Sequence, residues 1–248
     1  MQALFNDTKK LQKLLRVVSN TNKMVNMIAA PSGIAIQAVS DSKTTLLQIS
    51  AGTSFFKHYQ SQDVYTLGIL APTLETLVKT AKSDDLVGFS YDGQGCILLV
   101  RIGAPQGGAT TEYQVRLVNI EEEQMDIPPM EHDIIVDVDT NTFHDWKTKT
   151  GLANGPVCFT FEPQTVRVSA SSDEWGTVQV SHPVHYNTFA GKRDITINNS
   201  AMFALNILAT CSKSMQFGIK EDMPLSAAVQ MDECTKLALY IAPMMADD

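Results

Sequence analysis

Apolar positions along the chain follow two spacings, and the spacing switches between helical and alternating several times. Leu11, Leu14, Leu15 and Val18 share one helical face, which predicts a helix from a cap at Asp7 and Thr8 to about Asn20. At ~100° per residue, Lys9, Lys13 and Arg16 fall in a narrow sector opposite that face. Taken alone, such a sector reads as a solvated outer surface. Alternation predicts strands at residues 33–39 and 45–49. A second helix is predicted over residues 72–82, with Leu74, Leu77, Val78 and Ala81 inward and Lys79 and Lys82 off that face. Strands follow at residues 86–91, 96–101 and 112–118.

The pattern then breaks. From Tyr113 an alternating strand runs into the acidic stretch Glu121-Glu-Glu123, with Met125 and Ile127 as isolated apolar positions before Pro128-Pro129. A solvated, extended segment with spaced apolar side chains reads as a docking surface rather than a spacer. Beyond it the earlier order returns. A strand at residues 133–138 leads to a helix at 140–150 anchored by Phe143 and Trp146, then to strands at 157–161, 165–169 and 177–180. A fourth helix is predicted over residues 200–213, its polar face carrying Asn206, Thr210 and Lys213, and strands close the chain at 215–220, 225–231 and 236–241. Each half sets two helices among strands, an internal duplication of pattern. Four short helices cannot enclose this many strands, so they are expected to lie together on one side of the sheets.

Composition adds limits. The 248 residues are 44% hydrophobic and 19% charged, enough for one large domain or two smaller ones. No apolar run reaches the ~20 residues that span a bilayer, and the N-terminus lacks the blocks of a signal peptide. Cys96, Cys158, Cys211 and Cys234 are far apart, which disfavours a disulfide framework or a zinc site and suits a reducing compartment. The two Asn-x-Ser/Thr matches, at Asn6 and Asn198, read as helix caps. Net charge is -8, unlike a protein that coats nucleic acid, yet the cations gather on the helices.

Catalytic signatures are missing from the sequence. GxSxG, HExxH, P-loop and GxGxxG patterns do not occur, and the glycine-rich run 103–108 lacks the Lys-Ser/Thr of a phosphate cradle. His182 and His185 have no carboxylate or thiol ligand nearby in sequence, which leaves no metal site to assign.

Four blocks carry a family resemblance. The run Leu239-Tyr-Ile-Ala-Pro243 is similar to the terminal Tyr-Leu-Ala-Pro signature of the proliferating cell nuclear antigen (PCNA) family, the sliding clamps of replication. Residues Leu117 to Pro128 resemble that family's interdomain connector, with Gln124 and Ile127-Pro128 in register. Ser32-Gly33 through Ile36-Gln37 to Asp41, and Phe203-Ala-Leu205 to Lys213, match further blocks in the right order.

The resemblance implies an α+β DNA-clamp fold with two similar domains, at residues 1–117 and 135–248, joined by a connector loop at 118–134. It implies a homotrimeric ring with helices on the inner face and β-sheets outside, needing no cofactor and performing no catalysis. Its partners would be double-stranded DNA without sequence preference, a clamp loader, and a DNA polymerase and other proteins bearing clamp-binding peptides, in a nucleus or at a viral replication site. By register, the DNA-facing positions are Lys13, Lys79 and Lys213, with Lys9, Lys10, Arg16 and Lys82 as neighbours. On the third helix Asp145 and Thr148 stand where the family is basic, with Lys147 and Lys149 adjacent. The peptide pocket maps to Val39, Leu46, Met125, Ile127, Pro128, Pro224, Tyr240, Ala242 and Pro243. Leu46 alone would also suit ordinary core packing. Subunit contact maps to two edge strands, through Tyr113 and Val115 on one and Val178 and Val180 on the other. Competing readings are a subunit of a heterotrimeric checkpoint-type clamp, which needs different partner chains, and a hydrolase on a duplicated α+β scaffold.

Overall fold

The computed structural model describes residues 1–105, 108–121, 125–127 and 130–244. They form an α+β chain of four α-helices and many antiparallel strands, divided into two compact units. Unit 1 comprises Met1–Asp41, Leu47–Met125 and Gln230–Leu237; unit 2 comprises Ser42–Leu46, Asp126–Val229 and the chain from Ala238 onward. Each unit therefore includes a short segment from the other half of the sequence.

In unit 1 the elements run β1 (Gln2–Phe5), α1 (Thr8–Thr21), β2 (Met24–Ala30), β3 (Gly33–Val39), β4 (Thr45–Gly52), β5 (Phe56–Gln60), β6 (Tyr65–Leu70), α2 (Ala71–Lys79), β7 (Leu86–Ser90), β8 (Ile97–Gly103) and β9 (Thr110–Arg116). The Asp7 carboxylate caps α1 by accepting from the Lys10 amide at 3.0 Å, an interaction that contributes ~1 kcal/mol. Leu11, Leu14, Leu15 and Val18 are buried, as their spacing requires. Strands pair in the order β5-β1-β7-β8-β9, and β2 pairs with β3 on one side and β6 on the other. Phe5, Phe55, Phe56 and Phe89 pack ring against ring beside Leu11, Leu14 and Leu15 of α1. Gly33 has φ +138°, and a Cβ there would run into the Ala51 carbonyl oxygen, so the β2–β3 turn requires glycine.

Unit 2 continues with β10 (Ile134–Asp139), α3 (Thr140–Thr150), β11 (Val157–Glu162), β12 (Thr165–Ser172), β13 (Gly176–Pro183), β14 (Tyr186–Phe189), β15 (Arg193–Ile197), α4 (Asn199–Ala209), β16 (Ser214–Ile219), β17 (Leu225–Asp232) and β18 (Thr235–Ile241). A four-stranded sheet runs β13-β12-β11-β15, and β10 pairs with both β14 and β16. Phe143, Trp146, Phe159 and Phe217 form its aromatic core. Asn198 caps α4 through the Ala201 amide at 2.7 Å, the role expected of that Asn-x-Ser match. At the other match the cap is Asp7, while the Asn6 amide donates to the Ser54 carbonyl.

All four predicted helices form. Two end early: α2 stops at Lys79, and α4 stops at Ala209 because Thr210 and Cys211 turn back onto Ile207 and Leu208. Six strands had no expectation in the sequence pattern: β1, β2, β5, β6, β14 and β15. Of these, β14 buries none of its four side chains fully and exposes its two central ones, so it lacks the alternation that marks a half-buried strand.

Candidate functional site

The helical face of unit 1 is basic. Lys9, Lys13 and Arg16 are exposed on α1 at intervals of four and three residues, and none makes an ion pair among the described residues. Lys10, one residue from that stripe, is half-buried and bonded to Asp232 at 3.2 Å. It is committed to holding the Gln230–Leu237 segment against α1. Burial raises the Asp232 carboxyl, but hydrogen bonds from Thr235, Lys10 and Cys234 outweigh it and hold the group below the usual carboxylate range. On α2, Lys79 is exposed and reaches Glu75 at 2.6 Å, while Lys82 lies in the following turn, its amide bonded to Asp85 at 2.8 Å. The Gln12 amide joins the two helices by donating to the Val78 and Ala81 carbonyls at 3.1 and 3.2 Å.

In unit 2 the helix pair is bridged in a similar way, by His144 Nδ1 and Asn206 Oδ1 at 3.2 Å. Lys147 is half-buried, and Lys149 is bonded to Asp145 at 2.7 Å. Lys213 is exposed beyond the end of α4, and its carbonyl accepts from the Thr140 amide at the start of α3.

The connector is fastened to unit 1 at three places. The Val118 amide donates to the Gly68 carbonyl at 2.9 Å and the Asn26 side chain to the Ile120 carbonyl at 3.1 Å. A Cβ on Gly68 would run into the Val118 carbonyl oxygen, so only glycine lets the connector lie on β6. Further along, the Gln37 amide grips the Met125 backbone twice, donating to its carbonyl at 2.9 Å and accepting from its amide at 2.7 Å. This leaves the Met125 side chain half exposed. Val39 lies two residues from Gln37 on the same half-exposed face of β3.

Unit 2 holds the other end. His132 Nε2 and Ser226 Oγ are 2.9 Å apart, Ser226 donates to the Gly218 carbonyl at 3.0 Å, and the imidazole fills the space a Gly218 side chain would need. Ile127 and Pro224 are half-buried. The Ala242 amide donates to the Thr44 carbonyl at 2.8 Å, which sets Ala242 beside the start of β4, where Leu46 points away from the buried positions Thr45 and Leu47. Tyr240 is half-buried, its phenol raised by burial, and Ala242 and Pro243 are exposed. The Met244 amide donates to the Thr196 carbonyl on β15 at 2.8 Å. Pro128 and Gln124 lie outside the described residues.

Both strands expected to join subunits are sheet edges. β9 ends the five-stranded sheet and β13 the four-stranded one. Tyr113 is half-buried and Val115 buried on β9, beside a cleft of about 310 Å³ lined by Leu70, Thr73, Leu77 and these strand residues. Val178 and Val180 are half-buried on β13, and Leu152, in the turn after α3, is 72% exposed. His182, on the same strand, packs its ring against Trp146.

With this geometry in view, residues 1–125 match the profile of the proliferating cell nuclear antigen N-terminal domain. The chain belongs to the PCNA family. A probable DNA polymerase sliding clamp 2 of Paramecium bursaria Chlorella virus 1 is 21% identical over 244 residues, covering 96% of this chain and 88% of that protein. The proliferating cell nuclear antigen of Chaetomium thermophilum is also 21% identical, over 258 aligned positions that cover 100% of this chain and 99% of the relative.

For a PCNA-family chain the main residues missed by pattern reasoning are those that hold the connector. Gly68, Asn26 and Gln37 position it from strands of unit 1, and Ser226 and Gly218 receive His132 in unit 2. Gln37 stood inside a family-like block, which was the available signal; Asn26 and Gly68 lay in strands without a pattern of their own.

Proposed function

We propose that the protein is a homotrimeric DNA sliding clamp, a non-catalytic ring that encircles duplex DNA and tethers a polymerase to it. The observation that carries this reading is a basic helical face, with no ion pair among the described residues at Lys9, Lys13 and Arg16, on a chain of net charge -8. Lys79 and Lys82 extend that face, Lys147, Lys149 and Lys213 supply cations in unit 2, and Lys10 is left out because Asp232 holds it. Such cations attract phosphates without reading sequence, while the acidic remainder keeps the protein soluble. Topological closure, not affinity, retains such a ring on DNA.

Partner proteins dock by short peptides on the connector and the C-terminal run. The docking residues are Val39, Leu46, Met125, Ile127, Pro128, Pro224, Tyr240, Ala242 and Pro243. Exposed apolar side chains on a backbone fixed by hydrogen bonds suit capture of an extended peptide. Ring closure pairs the free edges of β9 and β13 from neighbouring chains and so removes two exposed edges.

Two measurements test the proposal. Light scattering should give three times the 27.2 kDa chain mass, about 82 kDa. A monomer would favour a clamp subunit that needs different partner chains. Linear duplex with free ends should bind, because a ring threads over an end, whereas duplex blocked at both ends beforehand should not. Equal binding to the two DNAs rejects the encircling ring.

A further inference from the structure

The two helix pairs differ in charge far more than in construction. Both are bridged by a side-chain hydrogen bond, Gln12 to α2 in one and His144 with Asn206 in the other. The helices of unit 1 carry five cations and one acid, those of unit 2 two cations and one acid. Position by position the contrast sharpens. Where α1 exposes Lys9, Lys13 and Arg16, α3 exposes Asn141, His144 and Thr148 at intervals of three and four residues. Lys149 is closed onto Asp145 at 2.7 Å, and an ion pair that short presents a dipole rather than a charge to a distant phosphate. α4 has no charged residue at all, and Phe203 stands 50% exposed on its outer stripe between Ser200 and Asn206.

Resting on the reading of the chain as a clamp, we propose that phosphate contact is made one-sidedly, by the helices of unit 1 in each chain. Unit 2 offers the duplex a hydrogen-bonding, nearly uncharged face. Counterion release counts the phosphates that cations neutralise. The stoichiometry per chain is then set by Lys9, Lys13 and Arg16, since Glu75 closes onto Lys79 at 2.6 Å as Asp145 closes onto Lys149, and Lys213 is a minor contributor. A face of amides, hydroxyls and one aromatic ring meets the duplex through water and exchanges partners without displacing ions.

The test uses the intact protein and a fluorescein-labelled duplex with free ends, with binding followed by anisotropy across a potassium chloride series. Two variants each remove two charges per chain: Lys13→Gln with Arg16→Gln, and Lys147→Gln with Lys213→Gln. The first should flatten the slope of log K against log salt by about 0.9 for each phosphate no longer neutralised, and weaken binding about tenfold or more at low salt. The second should produce less than half that change in slope. Equal changes, or a larger change for the second variant, overturn the one-sided arrangement. Adding Thr148→Lys and Thr210→Lys to the first variant should restore part of the slope, since those positions lie on the unit 2 face. No restoration means that this face does not meet the duplex, which also overturns the proposal. If the unaltered protein shows no salt-dependent binding, the clamp reading itself fails, an outcome separate from any difference between variants.

Discussion

Lys9 and Lys10 are neighbours in the chain with opposite fates. Lys9 is exposed on the α1 stripe, and Lys10 is drawn to Asp232, which also accepts from the Cys234 amide at 3.2 Å. Asp232→Ala should cost about 2 kcal/mol in urea unfolding at pH 7, since several donors lose a charged acceptor. The folded pKa of Asp232 is depressed, so its contribution is full above the unfolded value of about 3.9 and fades as pH falls through the folded value. The gap between variant and parent should therefore close in strong acid, and a gap that persists there would rule out the charge as its source. Tyr186 behaves in the opposite sense. Burial, reinforced by the Glu162 charge, pushes its phenol up to about 12, although a Glu162 backbone hydrogen bond pulls the other way. Its hydroxyl donates to the Thr165 carbonyl at 2.8 Å. Above the unfolded value of about 10 the unfolded chain loses this proton first, so stability falls as pH rises from there towards 12. Tyr186→Phe should remove the last-titrating tyrosinate absorbance, and an unchanged alkaline titration would reject the assignment. Helical period placed Lys9, Lys13 and Arg16 correctly on the exposed face of α1. It could not set Lys10 apart, because Asp232 lies 222 residues away in the chain.

At the scale of elements, the connector is the segment whose character was most legible and whose attachment was least so. Spaced apolar residues in an acidic run indicated an exposed segment, and Met125 is half exposed; that partners dock there is the proposal made above. Its anchors depend on Gly68, in a strand buried through its middle, and on Asn26, in a strand whose other residues are apolar on both faces, so neither shows polar–apolar alternation in the sequence. Ile127→Ser should weaken a clamp-binding peptide by roughly 1–3 kcal/mol if the side chain is an anchor. Gly68→Ala should weaken the same peptide without touching it, because the new methyl group displaces the Val118 carbonyl and with it the connector. If both act through the connector, the double variant should lose less than the two single effects added together. Strict additivity in isothermal titration would separate Gly68 from the peptide site. Secondary structure was easiest to read where one face is buried, as in α1 and β3, and hardest at β14, whose four residues alternate poorly.

Assembly depends on what the sheet edges do, and here a general rule becomes a specific test. In an antiparallel pair, successive amides along a strand point alternately to the partner and away from it. On β13, Val178 faces Ala170 and Gln179 faces Ser169 of β12. One of these two amides therefore bonds within the sheet and the other points to the free edge. Proline at the inward position breaks a ladder bond and weakens unit 2, whereas proline at the outward position removes a donor available only to another chain. Val178→Pro and Gln179→Pro made separately should give one variant with reduced thermal stability and one that folds normally by circular dichroism. Light scattering of the second should show a mass near one 27.2 kDa chain in place of the proposed trimer's mass. The cleft at Leu70, Leu77 and Tyr113 supplies apolar surface beside β9, and the exposed Leu152 stands in a turn against β12, the partner of β13, so loss of strand pairing should act together with them. Replacing Leu152 with Asp should lower the association constant without changing the fold. If the parent protein is the proposed trimer and both proline variants and Leu152→Asp keep its mass at micromolar concentration, the chains do not join through these edges.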